Sequence, residues 1–328
     1  MDALSDVLRV AHLTGGVFLQ ADFFEPWCIA TQVRPEHCAP YLGRPMAHMI
    51  SFHYVIEGSF QARVEGGEVF ELAAGEIVLF PRNDMHFLGS HLDLPPVLAS
   101  DVMVPATDGG LSAIRLGGNG APARIICGFL GCDGMEGNPL ISTLPPVLHL
   151  DVGEAGAAEW VRSTFQYAAR EMSSGRPGSE TLLAKLSELL FVQAMRRYVD
   201  TLPPERTGWL AGLRDPHVAR SLALFHGDIA RAWTVDDLGR AVGLSRSALA
   251  DRFTRLVGQA PMHYLSNWRM QVAAHHLRNT SASLTQVAER IGYDSEAAFS
   301  RAFKRAFGAA PATWRRRGNG LSGGRRAF

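Results

Sequence analysis

Guanidinium groups are the side chains best placed to do chemistry in this sequence. Of its 32 cationic residues 30 are Arg, and they are not evenly spread. Residues 215–328 hold 17 Lys and Arg against 8 Asp and Glu, whereas residues 1–214 hold 15 against 24. The formal charge of zero is therefore the sum of −9 and +9. Such asymmetry is expected when one segment meets a polyanion and the other does not, and the planar Arg fork suits phosphates. Thiols are the second candidate. Cys28 and Cys38 stand near Trp27, Arg34 and His37, where a neighbouring cation would favour thiolate and a redox-sensing pair. Cys127 and Cys132 read as strand and loop residues. The sequence contains no phosphate loop, nucleophile elbow or HExxH, so it does not read as an enzyme.

A repeat positions the basic third. The stretches Thr234–Met262 and Ser283–Ala312 match at an offset of 49 to 50 residues, pairing Gly243 with Gly292, Phe253 with Phe303, and Gly258 with Gly308. Each copy has the grammar of a helix-turn-helix. Thr234 with Asp237, and Ser283 with Gln286, place a capping hydroxyl three residues before a side chain that can reach back. Gly243 and Gly292 supply a turn at positive φ. Ser245, and Asp294 or Ser295, cap the next helix. That helix buries Leu249, Phe253 and Leu256 in one copy, and Phe299, Phe303 and Phe307 in the other. A linking helix carries Leu265, Trp268 and Val272 on one face.

Residues 215–317, with the ending Phe303-Lys-Arg-Ala-Phe-Gly-Ala-Ala-Pro-Ala-Thr-Trp314, resemble the DNA-binding domain of the AraC/XylS family of bacterial transcription regulators. The resemblance implies two recognition helices in successive major-groove segments, spaced by about 34 Å. It also implies promoter DNA, RNA polymerase and a second copy of the chain as partners. Motif position assigns Ser245, Arg246, Ser247, Ala250, Asp251 and Arg252 to the first reader. Ser295, Glu296, Ala297, Ser300, Arg301, Lys304 and Arg305 fall to the second. Arg301 could take a guanine in bidentate fashion, and Glu296 could accept from a cytosine amino group. Arg252, Lys304 and Arg305 are read as phosphate contacts. In the first reader Ala250 offers only a methyl group and phosphates repel Asp251, so that helix reads less sequence or relies on Arg246 and Arg252.

The acidic half reads as short β segments with glycine turns: Ile50–Ile56, Phe60–Val64, Val69–Leu72 and Ile77–Phe80. Further strands are expected near Trp27–Val33, Val97–Val104, Ala123–Phe129 and Val147–Leu150. Here His53-Tyr-Val-Ile-Glu57-Gly and Gly75-Glu-Ile-Val-Leu-Phe-Pro81-Arg-Asn-Asp-Met-His86 resemble the two cupin motifs. Regulators of the family often carry such a domain as an effector sensor, so the resemblance implies an effector, here unidentified. It also implies a divalent metal (Zn, Fe or Mn) on His53, Glu57 and His86, with His48 or His37 completing the set. Against the metal, Ser51 stands where the motif has its first His. The alternative is a barrel that kept its skeleton and lost the ion.

The expected fold is α+β and multidomain: a cupin-like β-barrel with trailing helices, then an all-α domain with two helix-turn-helix motifs. The barrel is assigned to residues 1–150, connector or dimerisation helices to 151–201, and a proline-containing linker to 202–214. The DNA-binding domain covers 215–317, with motifs at 234–257 and 283–307, and residues 318–328 form a tail. No apolar run approaches the ~20 residues of a membrane span, the N-terminus lacks a signal-peptide pattern, and four cysteines make no disulfide framework. A cytoplasmic, sequence-specific transcription regulator is the expectation. Its rivals are a metal-binding cupin enzyme fused to a DNA-binding module and a thiol-based redox regulator.

Overall fold

A computed structural model of the chain describes residues 2–11, 13–34, 46–104, 113–132, 138–151, 157–172 and 176–322. The chain forms two compact units, one of Leu13–Gly134 with Leu144–Tyr198, the other of Met1–His12, Met135–Thr143 and Val199–Phe328. Helix α1 (Ala3–Ala11) thus belongs with the C-terminal unit, although the sequence assigned residues 1–150 to the barrel.

The first unit is built on two sheets. Its strands are β1 (Thr14–Phe24), β2 (Cys28–Thr31), β3 (His48–Glu57), β4 (Ser59–Val64), β5 (Phe70–Ala73) and β6 (Glu76–Phe80). After them come β7 (His86–Gly89), β8 (Val97–Leu98), β9 (Met103–Val104), β10 (Ala113–Gly117), β11 (Pro122–Cys132) and β12 (Leu148–Asp151). One sheet runs β12-β6-β3-β11-β1-β10-β9 and the other β5-β4-β7-β2-β8. Alternate residues of facing strands, among them Phe23, Val55, Phe60, Val78, Phe80 and Ile125, form the core between the sheets, as the period-two geometry of strands requires. Strands β1, β7 and β10 were not expected. The single strand expected over 97–104 is two short ones flanking α2 (Ala99–Val102).

Helix α3 (Ala157–Met172) covers the outer face of the larger sheet, where Phe165 stacks on Tyr54 with ring centroids 4.0 Å apart. Helix α4 (Ser179–Thr201) follows, and its Glu188 Oε1 accepts from the Gly15 backbone N–H at 2.9 Å. Most of the expected connector therefore falls in the same compact unit as the barrel.

The second unit is helical: α5 (Trp209–Gly212), α6 (Pro216–Gly227), α7 (Val235–Val242), α8 (Arg246–Val257), α9 (Pro261–Asn279), α10 (Leu284–Arg290), α11 (Glu296–Phe307) and α12 (Pro311–Ser322). The repeated Gly-x-Ala-Pro has a structural meaning. Gly258 and Gly308 end α8 and α11 in the left-handed conformation, and Pro261 and Pro311 begin the next helices. Part of the expected linker is helical, in α5. Trp209 and Leu210 are buried, and Gly208 N–H donates to Leu256 O at 2.6 Å. At the far end α12 continues through Ser322 where a tail was expected.

Candidate nucleic-acid interface and a cavity in the barrel

In the first helix-turn-helix, Thr234 Oγ1 accepts from Asp237 N–H at 3.1 Å while Asp237 receives the Thr234 N–H in return, a full capping box. Gly243 turns the chain at φ 75°, and Ser245 Oγ caps α8 by accepting from Ala248 N–H at 3.2 Å. Leu249, Phe253 and Val257 face the core, with Leu256 half-buried beside them. The opposite face leaves Ser245, Arg246, Ser247 and Asp251 exposed and Ala250 half-buried. Arg246 lies 3.7 Å from Asp236, a loose surface pair.

Arg252 has a carboxylate partner within the unit. Its Nε and Nη2 lie 2.7 and 2.6 Å from one Asp215 oxygen, and Asp215 also caps α6 by accepting from the His217 and Val218 N–H groups. Burial works to raise the Asp215 carboxyl, but these bonds hold it below its ordinary value. A guanidinium engaged in this way ties α8 to the cap of α6.

The second copy repeats the skeleton. Ser283 and Gln286 form a capping box with bonds of 3.2 and 2.9 Å, Gly292 turns at φ 77°, and Ser295 rather than Asp294 caps α11 through Ala298 N–H at 3.2 Å. Phe299 and Phe303 are buried, and half-buried Phe307 packs on Trp314 at 4.7 Å. Ser295, Glu296, Ala297, Arg301, Lys304 and Arg305 are exposed, with Ser300 half-buried among them. Glu296 accepts from Thr285 Oγ1 at 2.9 Å. No ion pair engages Arg301, Lys304 or Arg305 among the described residues.

A buried polar chain braces this unit, and nothing in the sequence reading anticipated it. Trp209 Nε1–H donates to Tyr264 Oη at 2.8 Å, the Tyr264 hydroxyl lies 2.7 Å from His226 Nε2, and His226 Nδ1 lies 2.8 Å from Asp6 Oδ2. Donors line up from indole to phenol to imidazole to carboxylate, so each polar atom is satisfied. Burial pushes the Tyr264 phenol up, which keeps it a donor. Burial opposes ionisation of Asp6 too, yet bonds from His226 and Arg9 hold its carboxyl below the ordinary value. The only sequence signal was an Asp on the buried face of an amphipathic first helix.

The barrel holds a second buried chain, centred on two of the expected metal ligands. His53 and Cys127 are direct cross-strand partners on β3 and β11, so both side chains enter the same face. His53 Nδ1 lies 3.0 Å from Cys127 Sγ and its Nε2 lies 2.9 Å from His86 Nε2; His86 Nδ1 lies 2.9 Å from the Asp84 carbonyl. That carbonyl can only accept, so His86 carries its proton on Nδ1 and accepts at Nε2. His53 must then donate from Nε2 and accept the Cys127 S–H at Nδ1. Burial keeps every member neutral: the Cys127 thiol is pushed up to about 12, His86 is lowered to about 4, and His53 falls well below its ordinary value, helped by its neighbour His86.

The third expected ligand does not join them. Glu57 ends β3 where the pairing with β11 shifts register, and its half-exposed carboxylate meets Arg124 at 3.3 Å. His48 Nε2 instead faces the Pro81 carbonyl at 2.6 Å. Among the described residues no group of three or more His, Cys, Asp or Glu side chains is arranged to hold a metal. Of the expected thiol pair only Cys28 falls within the described residues. Cys28 is buried in the core, where burial pushes its thiol up despite Arg63, and an unionised thiol is a poor redox sensor. Cys38 and His37 lie outside the described residues.

Beside His53 opens a cavity of about 190 Å³. Phe23, Ile29, Ile114 and Phe129 are among its apolar walls, and Ser51, His53 and Cys127 contribute polar atoms.

Comparison with known proteins gives a consistent picture. The cupin family pattern matches residues 2–200 and a helix-turn-helix domain matches residues 238–317. A protein of Streptomyces lividans named as an AraC-like transcription regulator is 36% identical over 82% of this chain and 87% of its own length. One of the same name in Streptomyces antibioticus is 35% identical over the same shares. The HTH-type transcriptional regulator AlkR of Acinetobacter baylyi is 27% identical over 96% of this chain and 99% of its own. No helix of the described residues is long and apolar enough to cross a membrane.

Proposed function

The chain belongs to the AraC-like family of transcription regulators, and we propose that its barrel senses a small effector and sets how its paired reading helices engage a promoter. It is a DNA-binding regulator with an N-terminal cupin-like domain. The proposed DNA face comprises Ser245, Arg246, Ser247, Ala250 and Asp251 on α8, and Ser295, Glu296, Ala297, Ser300, Arg301, Lys304 and Arg305 on α11. The observation carrying this reading is that α11 presents three exposed cations, with no ion pair among the described residues, opposite its buried Phe299 and Phe303. Phosphate contacts position such a helix, and Arg301, midway along it, reads a base. RNA polymerase and a second copy of the chain are the proposed protein partners, and the cytoplasm the proposed compartment. An effector can act only by favouring one arrangement of the reading helices over another.

The test is binding of the full chain to a promoter fragment across a salt series. Log affinity should fall steeply with log salt, at about −0.9 for each phosphate contact, and joint replacement of Lys304 and Arg305 by Ala should flatten that slope by about two. A slope unchanged by the double substitution would remove α11 from the DNA face.

A further inference from the structure

We propose that the barrel cavity receives a neutral, ring-sized organic molecule bearing one hydroxyl group, which hydrogen-bonds Ser51. The inference rests on reading the barrel as the sensor of a DNA-binding regulator and names the chemistry it senses. Size comes first. A cavity of about 150 Å³ accommodates benzene, so about 190 Å³ accommodates a ring with a short substituent. Phe23, Ile29, Ile114 and Phe129 line that space with apolar surface, two of them with aromatic faces that suit a flat ring.

The polar end follows from hydrogen-bond accounting. Ser51 is 1% exposed, lines the cavity, and its Oγ meets no hydrogen-bond partner among the described residues. The buried His53 and Cys127 on the same lining have no capacity left for a direct bond: both ring nitrogens of His53 are engaged, and the Cys127 S–H is given to His53. One hydroxyl that can donate and accept calls for one ligand group of the same kind. The charge follows from the lining. Among the described residues no acidic side chain is on it to meet a cation, and exposed Arg34 is the one charged residue. A carboxylate set against Ser51 would face neutral imidazole and thiol groups, with no buried cation among the described lining residues to offset its desolvation.

Benzyl alcohol, toluene, benzoate and benzylamine share a ring and differ only in the head group, so they separate these requirements. Titrated into the full chain by calorimetry, benzyl alcohol should bind one per chain and toluene more weakly. Benzoate and benzylamine should give no measurable heat. Ser51→Ala should weaken benzyl alcohol about three- to tenfold and leave toluene unchanged. Ile114→Phe, which fills the cavity, should abolish both, with the unfolding midpoint confirming a folded chain. Benzyl alcohol binding that ignores Ser51→Ala, or benzoate binding more tightly than benzyl alcohol, would overturn the proposal. Promoter binding by the same samples keeps the two readings apart. A chain that holds DNA but no benzyl alcohol refutes only the ligand. A chain that binds benzyl alcohol through Ser51 but no promoter refutes the regulator and leaves the ligand standing.

Discussion

Aligned on Gly243 and Gly292, the two helix-turn-helix copies carry similar sequences and use their cations differently. The first keeps Arg252 bound to Asp215 and Arg246 loosely beside Asp236. The second leaves Arg301, Lys304 and Arg305 exposed. Their backs differ as well: in the first copy Phe253 meets Phe225 of α6 and Tyr264 of α9 edge-on, whereas α11 is held by a run of edge-on and tilted rings from Phe299 through Phe307 to Trp314. The lesson is that a charge in the sequence is not yet a charge available to a ligand. Arg252 is neutralised by a carboxylate 37 residues away, a distance at which no local pattern operates.

The largest expected difference between the copies lies in their turns. Gly243 and Gly292 share a left-handed conformation, at φ 75° and 77°. A Cβ on Gly243 would meet nothing within 4 Å, but on Gly292 it would lie 2.2 Å from the Ala230 carbonyl oxygen. Gly243→Ala should therefore cost only the strain of positive φ, about 1–2 kcal/mol. Gly292→Ala must also displace backbone and should cost roughly 3 kcal/mol, read from urea unfolding midpoints. Equal costs would mean that α10 is free to move away from Ala230. Next in size is the reading itself. Arg301→Ala should lose about 1–3 kcal/mol of discrimination at one base pair in a selected-site assay. Arg246→Ala should weaken all sequences alike and lower the salt slope by about one. A specificity loss confined to Arg246 would reverse the roles assigned to the two helices.

Local signals carried the helical unit well. Caps, glycines and Gly-x-Ala-Pro endings are read from neighbours, and each acts where it is written: Ser245, Ser283 and Ser295 all cap as expected. The failures share the opposite property. Strand β1 begins Thr14-Gly-Gly, which reads as a breaker, yet Gly15 is required because a Cβ there would overlap Ala184 of α4. Trp209 sits in a proline-containing stretch that reads as linker, and only its bond to Tyr264, 55 residues on, makes it core. In the barrel, His53 and His86 do meet, but the strand-end register shift that carries Glu57 outward has no local signature. Ser51 was noted only as a missing ligand; its unmet hydroxyl emerges once β11 and β3 pair and the cavity forms between the sheets.

The smallest expected effect gives the most direct check on the contrast between the copies. Arg252→Ala removes a pair that is partly exposed on the Arg side, at 38%, so its loss should cost only about 0.5–1 kcal/mol of stability. Its effect on promoter sequence preference should be nil. Acid supplies the matching measurement. Because the folded Asp215 carboxyl lies below its ordinary 3.8, the stabilisation is fully present above that value and disappears as pH falls through the lower, folded one. The wild-type unfolding midpoint should therefore fall more steeply with acid in this range than that of Arg252→Ala, and the two curves should converge at the acid end. If instead Arg252→Ala weakened promoter binding as much as Arg301→Ala, Arg252 would be exchanging Asp215 for phosphate on the duplex, and the two copies would use their cations alike.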